Sequence, residues 1–397
     1  MPTLPTGAAT AARSLAPTLA ARARETEASR ALPPETVQAL HDRGLFRLLQ
    51  PTRVGGLEQD FGGLVEVASA LARGCAATAW VQANLASHHW MLGMWPPAAQ
   101  DEVWGAPGGA DTLIGGALSF PCGRALAVAG GYRLSGCWSF ASGIDLCNWT
   151  LLGAIVQEED SLSAQSGEYR LFLLPRADYA VADTWFVAGL AGTASKEIRV
   201  DARFVPAHRS LALHQVHGGA TPGSAVNPGP LYRIPLLTAF GYVVAGVPLG
   251  IARGALDLFT LRGGDRLATH SGRPLLDFEP VQLKVAEAAA SVDAAHALLV
   301  TNCAQIMATA AGGTADEETR ARWRRDAAFA VRLAVRAVDL LFEASGGGGL
   351  FLDHPIQRAF RDVHAAASHI ALNWDAAATL YGKVALGHSS DLLPFER

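Results

Sequence analysis

Charge is scarce in this sequence and almost balanced in sign. Charged residues make up 17% of the 397 positions, and 32 Lys and Arg against 36 Asp and Glu give a net charge of −4. Hydrophobic residues make up 50%. This composition excludes a largely disordered chain, because disordered chains contain too little apolar surface to form a core. The slight negative balance also excludes a general nucleic-acid binder, which needs a basic surface.

Cysteine is rare, and its spacing excludes two structural uses. The five cysteines are odd in number and no two form a CxxC pair; they are Cys75, Cys122, Cys137, Cys147 and Cys303. A disulfide framework needs paired cysteines, and a zinc ribbon needs two CxxC pairs. We predict neither, and no other metal site. Scattered reduced thiols are typical of the cytoplasm, where we place the protein.

Long hydrophobic runs are also lacking. The longest, Phe240–Ala252, is interrupted by glycines and a proline, and a membrane-spanning helix needs about 20 apolar residues. Arginines at positions 13, 22, 24 and 30 interrupt any signal-peptide core in residues 1–30. We therefore predict no membrane segment and no targeting segment.

Nucleotide-binding and nucleophile motifs are missing as well. No GxGxxG, Walker loop or GxSxG stands at a predicted strand–helix junction. The chain therefore has no recognisable NAD(P)H domain of its own. A redox enzyme built on it must take its electrons from another protein.

The chain divides into three regions that differ in residue pattern. Residues 1–110 are helical in pattern, with one helix expected over Leu64–Trp80 and an end near Leu85. Residues 226–397 carry four long helical candidates, which are Tyr242–Leu261, Glu279–Ala310, Glu317–Ser345 and Arg358–Leu386. At about 100–200 residues per domain, the length agrees with two or three domains.

Residues 111–225 alternate short strand-like runs with turn residues and show no helix pattern. The runs are Thr112–Gly115, Ala125–Ala129, Tyr132–Trp138, Trp149–Val156, Tyr169–Leu174 and Ser195–Val200. Gly130 and Gly131 predict a hairpin between two of them. Short strands without crossover helices predict a small β-barrel or sandwich. The predicted domains are thus 1–110, 111–225 and 226–397, in an α+β fold that is mostly α.

Six local segments appear in one order along the chain. They are LPPETVQAL at 32–40, ATAW at 77–80, LSGCWSFASG at 134–143, GTASK at 192–196, FVPAHR at 204–209 and RDVHAAASH at 361–369. In this order they resemble the acyl-CoA dehydrogenase superfamily, and within it the flavin-dependent aromatic hydroxylases that receive reduced flavin from a separate reductase. The resemblance implies an N-terminal helical domain, a middle β-barrel, a C-terminal four-helix bundle and a homotetramer.

The residues at the expected position of the catalytic base separate two chemistries within that superfamily. Removing the α-proton of an acyl thioester requires a carboxylate. The two zones in which the dehydrogenases carry it are His369–Leu372 and Asn227–Ala255 here, and neither contains Asp or Glu. A monooxygenase is therefore favoured over a dehydrogenase, which would need an atypical base such as Asp375. A scaffold that has lost its cofactor is a third interpretation.

Histidines stand where the carboxylate is missing. The resemblance places His369 beside the flavin, where an imidazole can accept a phenol proton or donate to a flavin C4a-(hydro)peroxide. It also places His88, in preference to His89, toward the substrate or the ring. The competing interpretation of each is a buried structural histidine, and His364, on another helix face, is expected to be structural or to lie around the flavin.

Two further segments are implied to hold the cofactor. In 138–143, the resemblance places Trp138 and Phe140 against the ring and Ser142, or else Ser139, near N5. Gly346, Gly347 and Gly348 resemble a flavin-phosphate loop that serves a neighbouring subunit, since glycines let backbone N–H groups approach an anion. The competing interpretation of 138–143 is an ordinary strand. The competing interpretation of the glycines is the end of a helix followed by a turn. SGRPL at 271–275 departs from the dehydrogenase pattern at Ala268, which favours FMN or a loosely held flavin.

The sequence therefore predicts the oxygenase component of a two-component flavin monooxygenase. Reduced FMN or FAD would come from a separate flavin reductase, O₂ would be the co-substrate, and the substrate would be an aromatic or phenolic, biosynthetic small molecule. N-hydroxylation of an amine and acyl-CoA-type dehydrogenation with an atypical base remain the alternatives.

Overall fold

A helical layer precedes the β-structure. The computed structural model describes residues 6–157, 167–262 and 272–388. The first helices are α1 (Thr6–Ser29), α2 (Pro34–Asp42), α3 (Phe61–Ala72), α4 (Ala76–Gly93) and α5 (Pro97–Trp104). Helix α4 lies at the centre of the layer, and each of its residues is buried.

The predicted helix over 64–80 is two helices, and the predicted end near Leu85 was wrong. The chain turns at Arg73–Cys75, where a Cβ on Gly74 would lie 2.2 Å from the Ala16 carbonyl oxygen. Helix α4 then continues to Gly93, so His88 and His89 lie inside it. A helix that is buried all round has no polar face whose periodicity could mark its length.

The described residues of the middle region form one eight-stranded sheet. Its strands are β1 (Ile114–Ala117), β2 (Gly123–Val128), β3 (Gly131–Ala141), β4 (Trp149–Gln157), β5 (Glu168–Pro175), β6 (Ala180–Ala182), β7 (Lys196–Pro206) and β8 (Ser210–Ala212). Their order is β6-β7-β3-β2-β4-β5-β8, and β1 pairs with β4 in parallel. The six predicted strands and the hairpin at Gly130 are confirmed. Strands β6 and β8 were missed because three residues are too few to show an alternating pattern.

The C-terminal region returns to helix. It contains α6 (Leu236–Arg262), α7 (Glu279–Gly312), α8 (Glu317–Ala344), α9 (Pro355–Ala367) and α10 (Trp374–Ala385). Helices α6 to α9 pack together as the expected bundle, and α10 packs on α8. The predicted helix over 358–386 is split, because a short 3₁₀ turn at Ile370–Leu372 separates α9 from α10 and the side chains of His369 and Asn373 cap the backbone there.

Helix α6 is the central helix of the fold. Its segment Leu236–Leu261 is long and apolar enough to cross a membrane, but 83% of its most apolar window is buried inside the protein. It packs against α3, α8 and α9. Glycines on α6 allow the close crossing with α3, since a Cβ on Gly250 would lie 2.2 Å from the Ser69 carbonyl oxygen. The division into three domains stays a prediction.

We expect Gly250→Ala to lower the free energy of unfolding by about 1–3 kcal/mol, because the added methyl group forces α6 away from α3. Gly382→Ala in α10 is the matched control, since no atom lies within 4 Å of a Cβ built there. This control should gain up to about 1 kcal/mol from helix propensity. Urea unfolding of both variants measures the difference. Equal effects of the two substitutions would show that the α3–α6 crossing is not limited by backbone approach.

Candidate active site

Three of the six non-glycine residues with positive φ among the described residues lie in two neighbouring segments. Residues with positive φ include Phe140 at +68° near the end of β3, and Leu190 at +54° and Ala194 at +45° before β7. The segments touch where the Gly143 N–H donates to the Thr193 carbonyl at 2.9 Å. Non-glycine residues in this region of φ/ψ space are costly and cluster at functional sites. The strain makes this junction the leading candidate for an active site.

A row of buried hydroxyls joins the two segments to α4. The Trp80 indole Nε1 donates to Ser142 Oγ at 3.1 Å, and Ser142 Oγ lies 2.8 Å from Ser195 Oγ. Ser195 Oγ lies 2.7 Å from Thr193 Oγ1, which donates to the Leu190 carbonyl at 2.9 Å. We call Ser142, Ser195 and Thr193 the hydroxyl network. All three side chains are buried.

His369 also contacts Trp80. Its ring stands edge-on to the indole with centroids 5.6 Å apart, and Phe240 lies 5.8 Å away. His369 Nδ1 accepts the Ala371 backbone N–H at 3.2 Å. Part of the residue is exposed, yet burial of the ring lowers the pKa of His369 to about 4. The neutral ring therefore carries its proton on Nε2 and is a hydrogen-bond donor there.

Two neutral polar groups thus contact Trp80 of α4: the Ser142 hydroxyl, directly after β3, and the His369 imidazole, from the turn after α9. Asp375, the atypical base considered above, is exposed in the first turn of α10. Among the described residues, no group of three His, Cys, Asp or Glu side chains could hold a metal ion. The site is suited to hydrogen bonding by neutral donors and acceptors, not to proton removal by a carboxylate.

The two adjacent histidines of α4 face in different directions. His88 Nδ1 donates to the Ile114 carbonyl of β1 at 2.7 Å, and its Nε2 lies 2.7 Å from where a Cβ on Gly116 would be. His89 Nδ1 accepts from the Trp104 indole of α5 at 3.2 Å. Burial lowers the pKa of His88 to about 4 and that of His89 to about 3, so both are neutral. His88 faces the sheet, whereas His89 is a packing residue.

The structure corrects part of the prediction for the segment 138–143. Trp138 is 0% exposed and donates through Nε1 to the Gly153 carbonyl at 2.8 Å. Its ring is therefore buried against the sheet and cannot cover a cofactor. Strand alternation turns Ser139 outward, away from the hydroxyl network. A register shift between Trp138 and Ala141 then leaves Phe140 71% exposed beside Trp185, at a centroid distance of 5.9 Å. Only Ser142 of the four joins the network.

The remaining predicted residues are not brought to this junction. Gly346, Gly347 and Gly348 form an exposed 3₁₀ turn that packs against α8 and α9. His364 is bound to Asp339 at 2.9 Å. The departure at Ala268 lies outside the described residues, as does Ser271 of the motif 271–275.

Sequence reasoning missed how the site is supported from α9. The Arg361 guanidinium donates to the Ala188 carbonyl at 2.6 Å, and Asp362 Oδ1 accepts the Leu190 N–H at 2.7 Å. These two residues therefore hold the strained segment that carries Leu190. These residues all lie in segments quoted above: Trp80 in 77–80, Thr193 and Ser195 in 192–196, and Arg361 and Asp362 in 361–369. A single sequence contains no pattern that predicts their contacts.

Family models match both helical regions of the chain. The model described as Acyl-CoA dehydrogenase, N-terminal domain, matches residues 7–106. The model described as Acyl-CoA dehydrogenase, C-terminal domain, matches residues 242–374. The two matches flank the eight-stranded sheet.

Characterised relatives match almost the whole chain. The FADH(2)-dependent resorcinol hydroxylase, oxygenase component, of Rhizobium sp. (strain MTP-10005) is 39% identical over 376 residues, covering 92% of this chain and 90% of the relative. The crystal structure of 3-HSA hydroxylase from Rhodococcus sp. RHA1 superposes with a TM-score of 0.90 at 32% identity, covering 98% and 99% of the two chains. XiaF from Streptomyces sp., in complex with FADH2 and glycerol, gives 0.88 at 28% identity, covering 97% and 96%.

The fold and the site define a member of a flavoenzyme class, and the likeness extends over the full length. The chain belongs to the acyl-CoA dehydrogenase family, in its branch of flavin-dependent monooxygenase oxygenase components. The resemblance seen in the six sequence segments, the expected fold class and the expected enzyme class are thereby confirmed.

The buried carboxyl group of Asp362 should make the stability of the fold depend on pH. Burial raises the pKa of Asp362 from 3.8 to about 6; Glu27 raises it further, whereas the Leu190 N–H, Arg358 and Arg361 oppose the rise. The folded state thus keeps a proton that the unfolded state releases between these pH values. The stability associated with that proton is complete below about pH 4 and is lost as the pH rises through about 6.

We therefore expect Asp362→Asn to raise the free energy of unfolding above pH 7 by roughly 1–3 kcal/mol and to change it little at pH 4, because the amide accepts the Leu190 N–H without a buried charge. Urea unfolding across this pH range is the measurement. Asp339→Asn, at the partly exposed ion pair with His364, is the control and should stay within about 0.5 kcal/mol. A variant less stable than the wild type at pH 8 would contradict the assignment.

Proposed function

We propose that this protein is the oxygenase component of a two-component monooxygenase that uses reduced FMN or FAD from a separate flavin reductase, and O₂, to hydroxylate an aromatic or phenolic small molecule. The observation that carries the proposal is that neutral His369 and the Ser142 hydroxyl both contact Trp80, in a member of this family that has no carboxylate in either expected zone. The relative named as a FADH(2)-dependent resorcinol hydroxylase supports the cofactor, the reductase and the substrate class.

The residues at the junction fit a reduced flavin. Phe140 offers an exposed apolar face beside Trp185, and Ser142 lies two residues further along the same segment with a hydroxyl. A flat tricyclic ring with polar atoms on its edges matches an aromatic surface bordered by hydrogen-bonding groups. Phe140 and Ser142 would hold the ring, which supplies the electrons that activate O₂.

His369 acts on the substrate side of this arrangement. Its Nε2–H can donate to an oxygen atom of the substrate and stabilise negative charge that develops there. Since its Nδ1 is occupied by the Ala371 N–H, accepting a phenol proton at Nε2 would first require a change of tautomer. Donation is therefore the better supported of the two roles considered for this histidine. His88, neutral and directed at β1, is the second candidate for a substrate contact.

We extend the proposal to the oligomeric state of the protein and its location in the cell. Leu350, Phe351 and Leu352, directly after Gly346–Gly349, are all exposed, and an apolar surface of this kind favours association with another subunit. A homotetramer would cover these residues and bring the glycine turn to a neighbour's flavin phosphate. The five free cysteines, two of them exposed, support a cytoplasmic location.

The activity can be tested with defined components. Anaerobic protein with photoreduced FMN or FAD is mixed with ¹⁸O₂ and a phenol, beginning with resorcinol, and the products are analysed by mass spectrometry. We expect one ¹⁸O atom in a carbon-hydroxylated product and less hydrogen peroxide than free flavin releases. A product labelled on nitrogen with amine substrates would favour the N-hydroxylation alternative. Absence of ¹⁸O from all products, with peroxide release unchanged, would refute the proposal.

We expect His369→Ala to lower coupled product formation by about 10²- to 10³-fold, the usual effect of removing one hydrogen-bond donor to developing charge. Binding of reduced flavin should change little, because Ser142 and Phe140 are retained. Since the pKa of His369 is lowered to about 4, wild-type product formation should show no titration of this group near pH 6.5. It should fall only as the pH approaches 4, where protonation of Nδ1 breaks the hydrogen bond from the Ala371 N–H that orients the ring.

His369→Asn separates the two roles of the side chain. Asparagine is a good helix cap and can accept the Ala371 N–H, but it cannot place a donor where Nε2 lies. Its folding stability should therefore stay near that of the wild type while product formation falls as in His369→Ala. Wild-type activity in His369→Asn would show that the histidine serves only as a cap.

A further inference from the structure

Two exposed cysteines lie next to each other at one end of the β2–β3 hairpin. The last pair of the two strands, at the end away from the turn, is Gly123 and Gly136. Cys122 directly precedes the first and Cys137 directly follows the second, so they are the next residues across from each other. A Cβ built on Gly136 would lie 2.5 Å from the Cys122 carbonyl oxygen, which places the Cys122 backbone directly against β3.

This arrangement suits a disulfide. Opposed residues of antiparallel strands have Cα atoms about 4.5–5.5 Å apart, within the range of about 4.4–6.8 Å that a disulfide spans. Cys122 ends a 3₁₀ turn, Phe120–Cys122, and is exposed. Cys137 is exposed too, because it alternates with the fully buried Trp138 along β3. Rotation of the Cys122 side chain away from the turn is the movement that the bond requires.

The two thiols have different hydrogen-bond partners. Cys122 Sγ donates to Ser119 Oγ at 3.2 Å, whereas the Cys137 thiol donates to the Glu197 carboxylate of β7. Partial removal from water and the Glu197 carboxylate raise the pKa of Cys137 against the opposing effect of Arg199, which keeps this sulfur in its less reactive thiol form. Cys122 meets only a neutral hydroxyl and is therefore the sulfur that reacts first.

We propose that Cys122 and Cys137 form a reversible disulfide when the protein meets hydrogen peroxide. This oxidant is the product whenever O₂ takes two electrons from reduced flavin and no substrate receives an oxygen atom. The inference rests on the proposed function only for this source of peroxide, since the pair of thiols is present without flavin. Disulfides in reducing compartments are usually transient and report on oxidants, as this one would.

The reaction balances with peroxide as the sole oxidant. Cys122 Sγ attacks one oxygen atom of hydrogen peroxide, the O–O bond breaks, and a sulfenic acid and a water molecule form. Cys137 Sγ then attacks the Cys122 sulfur, the S–O bond breaks, and the Cys137 thiol proton leaves with the hydroxyl group as a second water. The two thiols lose two electrons, which reduce one peroxide to two waters.

The other three cysteines serve as an internal control. Cys75, Cys147 and Cys303 are buried, and burial raises the pKa of each. Thiols of this kind are inert toward oxidants because they are neither ionised nor accessible. Peroxide should therefore modify the exposed pair and leave these three unchanged.

The test begins with native wild-type protein treated with hydrogen peroxide and then unfolded in an alkylating reagent. We expect the free thiols to fall from five to three and to return to five after dithiothreitol. Trypsin cuts after Arg124 and Arg133, so the disulfide should link peptide 74–124 to peptide 134–170. Cys75 and Cys147, in the same two peptides, should carry the alkyl group, which fragmentation by mass spectrometry shows.

Two variants test the order of the steps. Cys137→Ser should stop at the sulfenic acid of Cys122, which dimedone traps, whereas Cys122→Ser should keep Cys137 as a thiol over the same time. Cys303→Ala is the control and should form the disulfide as the wild type does. Reduced FMN in air without substrate should produce the same linked peptides, and catalase should prevent them.

The outcomes are distinct. Five free thiols in the treated wild type, a link to a buried cysteine, or a link between two chains on a non-reducing gel would overturn the inference. Dimedone labelling of Cys137 in Cys122→Ser as fast as that of Cys122 in Cys137→Ser would overturn the order of the two steps. The predicted link in a protein that hydroxylates no phenol would confirm the inference and refute only the proposed function.

Discussion

The hydrogen bond from the Trp80 indole to the Ser142 hydroxyl ties the candidate site together. Trp80 belongs to α4, the fully buried helix of the N-terminal layer, and Ser142 follows the last residue of β3. The same indole contacts the ring of His369, from the turn between α9 and α10. One side chain thus contacts all three parts of the fold. A displacement of α4 against the sheet would separate the hydroxyl from the imidazole.

Burial gives the site its chemical character. The pKa of His369 is lowered to about 4 because its ring is removed from water, so the site presents a neutral imidazole over the physiological range. Neutral donors and acceptors can orient a reduced ring and a phenol without removing a proton from either. A carboxylate in the same place would favour proton abstraction, the chemistry that the relatives with an acyl thioester substrate require.

Strain and support are found on the same segment. Leu190 and Ala194 hold left-handed backbone conformations, and Arg361 and Asp362 of α9 bind the backbone at 188 and 190. Burying the Asp362 carboxylate lowers stability at neutral pH, as its raised pKa indicates. The same contacts hold Leu190, whose carbonyl accepts the Thr193 hydroxyl, in place. Residues that look like helix-surface charges in the sequence therefore act as supports of the site.

The sequence by itself determined the order of helical and β regions, because long runs of period 3.6 and repeated short strands persist whatever their neighbours are. Its local motifs also contained Ser142, His369, Thr193 and Ser195. Tertiary structure decided the rest. It buried the ring of Trp138 and left Phe140 exposed at a register shift. It also extended α4 past His88, which the sequence could not indicate because a fully buried helix has no polar face. The hydroxyl network ends at the backbone carbonyl of Leu190, and because every residue has a carbonyl, the sequence does not indicate which one folding will place there.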